Sequence, residues 1–188
     1  MNYFIGVDVG TTSTKAVLYD QNATVLDILR DGRNQLAERG VDQWQGDYPN
    51  VTHVKEDIEN GYAYLVKADD GQTVGTLAIV EAPDHFYDKL NGEWLINTEN
   101  YVVIHRVAIH SQHAGKGYAS KLFLSLIEYL ETERPEIKSI RLSTNENNMA
   151  MQRIATKSGF KKVGTLHGAF RPSELSYVYE LLTKVRVV

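Results

Sequence analysis

Residues 106–130 read RVAIHSQHAGKGYASKLFLSLIEYL. The run that leads into them, NYVVIHRVAIH (100–110), carries apolar residues on both alternating faces and predicts a central strand covered on each side. Beyond the loop, Ala119, Leu122, Phe123, Leu126, Ile127 and Leu130 fall at i, i+3, i+4, i+7, i+8 and i+11, one face of an amphipathic helix that Pro135 ends. Between strand and helix lie Gly115 and Gly117. Glycines let the backbone turn with its N–H groups converging, and the first turn of a helix adds unpaired donors and a partial positive charge, so this geometry suits phosphate. Lys116 adds a full charge beside them. The plain alternative is a tight turn in which Gly117 serves only close packing.

Outward from this unit, helix and strand signals alternate. NATVLDILRDGRNQLAERG (22–40) places Val25, Ile28, Leu29 and Leu36 at helical spacing, with Gly40 as a stop. VTHVKEDIENG (51–61) fits a short helix capped by Asn50 and closed by Gly61. GYAYLVKA (61–68) and TVGTLAIVEA (73–82) flank an Asp-Gly turn and predict a hairpin, followed by an irregular connection over 82–98. Downstream come a strand IKSIRLST (137–144), a helix over about 148–158, and strands around FKKVGTL (160–166) and LSYVYELL (175–182). The order is mixed α/β.

VAIHSQHAGKGYASKL and the later NNMAMQRIATKSGF (147–160) together resemble the GNAT superfamily of acetyl-CoA-dependent N-acetyltransferases, and the likeness covers roughly residues 25–184. It implies an α/β (α+β) acyl-CoA N-acyltransferase fold, with a central mixed, mainly antiparallel sheet flanked by helices. It also implies acetyl-CoA as cofactor, held by Val107, Ile109, Ala114, Gly115, Lys116, Gly117, Tyr118, Ala119 and Asn148. Two positions depart from the family pattern. The loop position usually held by Arg or Gln is Ala114 if the motif is laid on 114–119; a register on 112–117 restores Gln112 but starts the helix two residues early. The tyrosine that in many relatives protonates the leaving thiolate, four residues before the glycine, is replaced by Ala155. Backbone amides are then expected to dominate pyrophosphate binding, and coenzyme A to leave as a thiolate or with a proton from water or another residue.

For a general base the sequence offers His105 within the central strand and Glu81 at the end of TVGTLAIVE, both expected to face the opening in the sheet where the acetyl group would sit. The acceptor, a primary amine on a small molecule or a protein, is expected at the loop 40–49, with Trp44 and Tyr48 as an apolar wall and Asp42 or Asp47 receiving a cation. Trp44 packing the loop down is the structural alternative.

The first residues, MNYFIGVDVGTTSTKAVLYD, carry a second resemblance. Asp8, Gly10, Thr11, Thr12 and Lys15 stand as in the first phosphate-binding hairpin of FGGY-family sugar (gluconate) kinases, over residues 1–27. A complete two-lobed kinase does not fit 188 residues, of which 43% are hydrophobic and which suffice for one domain, 1–188. The expectation is an atypical kinase-like hairpin over 1–21 whose KAVLY supplies an edge strand to an acetyltransferase core over 22–188. The absence of cysteine excludes disulfides, thiolate metal sites and cysteine nucleophiles, and no metal site is expected. No basic leader or apolar run near ~20 residues stands out, so a soluble cytoplasmic protein without membrane contact is expected. The net charge of −4 argues against nucleic-acid binding. Residues 101–188 hold 13 Lys+Arg against 7 Asp+Glu, a balance of +6 that leaves −10 in the first hundred, so an anionic ligand should prefer the second half. A homodimer would be ordinary for the family. Two other functions remain compatible with the sequence: a non-catalytic acyl-CoA-binding sensor and a kinase fragment.

Overall fold

The computed structural model describes residues 14–168 and 173–184, with side chains from Thr24 onward. Helix α1 (Thr14–Glu38) is followed by α2 (Val51–Glu59) and the hairpin of β1 (Ala63–Lys67) and β2 (Thr73–Glu81). A 3-10 turn at His85–Tyr87 and the two-residue β3 (Asn91–Gly92) lead to β4 (Tyr101–Ile109), a second 3-10 turn at Ser111–His113, α3 (Tyr118–Glu133), β5 (Ser139–Asn145), α4 (Met149–Lys157), β6 (Lys161–His167) and β7 (Leu175–Leu182). The strands form one sheet in the order β1-β2-β4-β5-β7-β6-β3. Every pair is antiparallel except β4 with β5.

The sheet is covered on both faces. On one, the stripe predicted for α3 buries Leu122, Phe123, Leu126 and Leu130 against Leu77, Ile79, Val102, Ile104, Ile140 and Leu142. On the other, Val25, Ile28 and Leu29 of α1 pack with Val54 of α2 onto Ala108 of β4, while Tyr87 packs on Val103, Leu166 and Val178 farther along the sheet. Asn50 caps α2 as its sequence position suggests, accepting from the N–H groups of Thr52 and His53.

One expected element is corrected. KAVLY (15–19) lies within α1, so it supplies no edge strand; YFIGVDV lies outside the described residues. From Thr14 to Asp31 the chain has neither glycine nor proline, and a helix nucleated by the amphipathic turns around Val25–Leu29 extends backward at one hydrogen bond per residue. A short apolar run such as AVLY fits helix or strand equally well, and its neighbour decides.

β4 carries the feature that makes a site. Its pairing with β2 jumps from Thr76↔Ala108 to Ala78↔His105, leaving an extra residue on β4, and Arg106 at the bulge has φ +52°. Its parallel pairing with β5 covers four residue pairs and stops at Ile104↔Leu142. From His105 on, the two strands diverge.

Candidate active site

The gap between the diverging strands opens into a cleft of about 430 Å³. Its walls are residues 104–109 of β4, the loop and first turn of α3 (Ala114, Gly115, Gly117, Tyr118, Ala119), Leu142–Thr144 of β5, and Asn148, Met151 and Ile154 of α4. Gln35 and Arg39 of α1 and the loop residues Gln43, Trp44 and Tyr48 close the remaining side. Of the residues expected at a cofactor site, Val107, Ile109, Ala114, Gly115, Gly117, Tyr118, Ala119 and Asn148 come together here; Lys116 is exposed on the loop outside the lining.

The anion-binding end follows from the backbone. Gly115 and Gly117 adopt φ +75° and +78°, and Gly117 is the residue from which α3 starts at Tyr118, with no side-chain cap on its first turn. Left-handed φ suits glycine, and uncapped N–H groups at the start of a 16-residue helix point at the loop. The loop is tied down from α1: Asp31 accepts from the Ser111 N–H and Oγ, each at 2.7 Å, and Gln35 Nε2 donates to the Ile109 carbonyl at 2.9 Å. Burial opposes ionisation of Asp31, yet the bonds from Ser111 and Gln35 outweigh it and hold its carboxyl below the ordinary range.

Where β4 leaves β5 stand two side-chain pairs whose partners the sequence does not announce. Arg106, turned by the bulge, meets Asp57 of α2 through Nε and Nη2, both at 2.5 Å, and donates from Nη1 to the Tyr48 hydroxyl at 2.7 Å. Burial works against the guanidinium charge, but Tyr48 and Asp57 together raise its pKa above the usual value. Beside it, His105 Nε2 lies 2.6 Å from Asp84 Oδ2, and both side chains are largely buried. Asp84 Oδ1 accepts from the Phe86 N–H, which fixes the carboxylate. The two non-glycine residues with positive φ among the described residues, Trp44 (+68°) and Arg106, both line the cleft, so backbone strain gathers at this site.

Gln43 bridges the cleft's two sides. From the loop after α1, its Oε1 accepts from Thr144 Oγ1 at 3.1 Å and Asn148 Nδ2 at 2.8 Å, while Asn148 Oδ1 caps α4 through the Met151 N–H. Nothing in the local sequence around Gln43 marks this role, because its partners lie about a hundred residues away.

Other residues singled out in the sequence lie outside the cleft lining. Glu81 pairs with Val102, where β4 and β5 are still joined, and its Oε1 accepts from Arg134 Nη2 at 3.0 Å. It is exposed and outside the cleft, since two residues of strand separate a position at the closed end of the sheet from one at its opening. Ala155 is 0% exposed in the main core, whereas Met151 and Ile154 on the same helix line the cleft. Asp47, offered as a cation site, is exposed and accepts from Asn50 Nδ2.

A family model, the acetyltransferase (GNAT) family, matches residues 29–160, which include the bulged strand, the glycine loop and α4. The chain belongs to the GNAT acetyltransferase family. GNAT structures also match the fold. A GNAT acetyltransferase from Streptococcus agalactiae is 26% identical with a TM-score of 0.78, covering 97% of this chain and 99% of its own. One from Listeria monocytogenes is 21% identical with a TM-score of 0.66, covering 87% and 90%. The spermidine N-acetyltransferase of Vibrio cholerae, solved with CoA and spermine, is 16% identical with a TM-score of 0.63, covering 87% and 90%. A search of curated protein sequences gives no match. Nothing in these comparisons supports the kinase resemblance of residues 1–27; the family assignment makes the chain an N-acetyltransferase.

Proposed function

We propose that this GNAT protein transfers an acetyl group from acetyl-CoA to a primary amine by direct attack in a ternary complex. The observation that carries the reading is the divergence of β4 from β5 directly beside a glycine loop that opens onto the first turn of α3. Acetyl-CoA, when bound, supplies the thioester that the amine attacks. The N–H groups of Gly115 to Ala119 are suited to its pyrophosphate without the side chain missing at Ala114. Residues 105–109 have no β5 partner, so their backbone along that edge is available to hold the acyl arm and polarise its carbonyl near Val107 to Ile109. His105, at the opening, is taken as the base, since it lines the cleft and Glu81 does not.

Trp44 and Tyr48 form the wall on the acceptor side. The charged lining residues are Arg39 and Arg106, joined by the histidines His105 and His113, while Asp57 and Asp84 are engaged by Arg106 and His105. A second ammonium would find no carboxylate among the described residues of this lining. That favours an acceptor with a single amine over a polyamine such as the spermine bound by the Vibrio relative. The test is calorimetry with acetyl-CoA, followed by thiol release with 2-phenylethylamine and with spermidine. Binding with faster release for the monoamine is expected. Absence of acetyl-CoA binding would remove the reading, and binding without thiol release from any member of an amine library would make the protein a sensor.

A further inference from the structure

We propose that Asp84 is a positioning residue that holds His105 as its Nε2–H tautomer, so that Nδ1 is the ring nitrogen that takes a proton from the acceptor amine. The inference rests on the acetyl-transfer reading above and adds to it the atom that accepts the proton and the residue that selects it.

The geometry comes first. Asp84 belongs to the connection after β2 and meets a residue 21 positions further along the chain, placing Oδ2 at 2.6 Å from His105 Nε2. It cannot swing away easily. Its Oδ1 accepts from the Phe86 N–H at 3.0 Å as the cap of the 3-10 turn, and its own N–H donates to the Tyr101 hydroxyl at 3.0 Å. The imidazole is confined as well, with the Phe86 ring edge-on at 6.0 Å and the Tyr87 ring at 6.4 Å. Although burial opposes the charge on Asp84, the bonds from His105 and Phe86 hold its carboxyl below the ordinary range, so it is ionised and can only accept. The proton between the two groups therefore sits on Nε2. In neutral imidazole the other nitrogen is then an acceptor, and His105 is the histidine of β4 that stands where β4 leaves β5.

The step balances without a further reactant. An ammonium gives one proton to His105 Nδ1; the freed nitrogen pair forms the C–N bond, the C–S bond breaks with its electron pair on sulfur, and the second N–H proton neutralises that sulfur. The imidazolium formed on the way is stabilised by the Asp84 carboxylate and returns its proton to solvent.

The fixed cap makes one variant decisive. In Asp84→Asn the Phe86 N–H retains Oδ1 as its acceptor, which turns the amide NH₂ toward Nε2. An NH₂ only donates, so the ring proton must move to Nδ1 and the base is lost while the hydrogen-bonded shape survives. The experiment is 15N NMR of histidine-labelled protein, with His105→Gln assigning the ring signals. Expected are an unprotonated Nδ1 in wild type and a protonated Nδ1 in Asp84→Asn. Thiol release with 2-phenylethylamine, or with water as the acceptor, should fall at least tenfold in Asp84→Asn with the calorimetric acetyl-CoA affinity unchanged. An Nδ1–H tautomer in wild type overturns the proposal, as does an unaltered rate in Asp84→Asn. Asp84→Ala, which removes the bond without imposing a donor, should mix the tautomers; if it leaves the wild-type pattern intact, Asp84 does not select it. Failure of wild type to bind acetyl-CoA would instead strike the acetyl-transfer reading and leave the tautomer result standing.

Discussion

Gly117 illustrates how one residue joins conformation to ligand chemistry. A Cβ there would meet no atom within 4 Å, so the protein itself has room, but φ +78° is a region that β-branched side chains rarely enter. Gly117→Val must rebuild the start of α3 and re-aim the loop N–H groups, so acetyl-CoA binding should disappear by calorimetry; Gly117→Ala, costing about 1 kcal/mol of strain, should weaken binding less. Unchanged affinity in a folded Gly117→Val would move the anion site elsewhere. Ala155 makes the opposite case. Its spacing before Gly159 matches a family acid position, yet its side chain is sealed in the core. Ala155→Tyr should therefore lower stability by about 1–3 kcal/mol through overpacking and bring no gain in maximal rate. A rate increase on steady-state assay would show that the ring reaches the cleft.

At the scale of elements, one carboxylate contributes two of the hydrogen bonds that dock α1 on the loop after β4. Asp31 has a folded pKa below its ordinary value, so its bonds to Ser111 contribute stability that is fully present above about pH 4 and is lost as the pH falls through the folded value. Asp31→Asn should melt below wild type near neutrality, and the gap in melting temperature should close as acid protonates wild type beneath pH 4. A gap that stays constant down to pH 2 would assign the effect to something other than this carboxylate. Elements themselves were largely readable from the sequence. Val25, Ile28, Leu29 and Leu36 repeat at helical period and are all buried, and LSYVYELL occupies β7 residue for residue. KAVLY was misread because a five-residue apolar run has no period of its own, and only the continuous helix behind it determines its state. The cofactor loop was readable because its chemistry is local, two glycines ahead of a helix. The candidate base position was only half readable: His105 stands mid-way along β4 and Glu81 at the end of β2, and which one meets the opening depends on where β5 stops pairing. The pairing of Asp84 with His105, of Asp57 with Arg106 and of Gln43 with Asn148 escaped because the partners are distant in sequence, and no spacing rule encodes such contacts.

Across the whole molecule, the sheet is two unequal pieces held at a seam. β5 and β7 share seven residue pairs and β2 and β4 share six, whereas β4 and β5 share only four, all on one side of the cleft. Beyond the seam, Gln43 alone among the described side chains of the 40–49 loop reaches Thr144 and Asn148. Although α3 packs on residues of both pieces, the backbone ladder between them is short, and regions joined by fewer hydrogen bonds open as separate cooperative units, each with its own free energy. Amide hydrogen exchange should then resolve two protection levels, one for β1, β2 and β4 and another for β5, β7 and β6, and Gln43→Ala should widen the difference. A single common level would show that the four-pair seam is as strong as a full ladder. The early end of the β4–β5 ladder thus has a thermodynamic meaning apart from making room: a molecule lodged in the gap touches both pieces, so its binding energy becomes cohesion between them, and occupancy would register as slowed exchange at amides far from any atom it contacts.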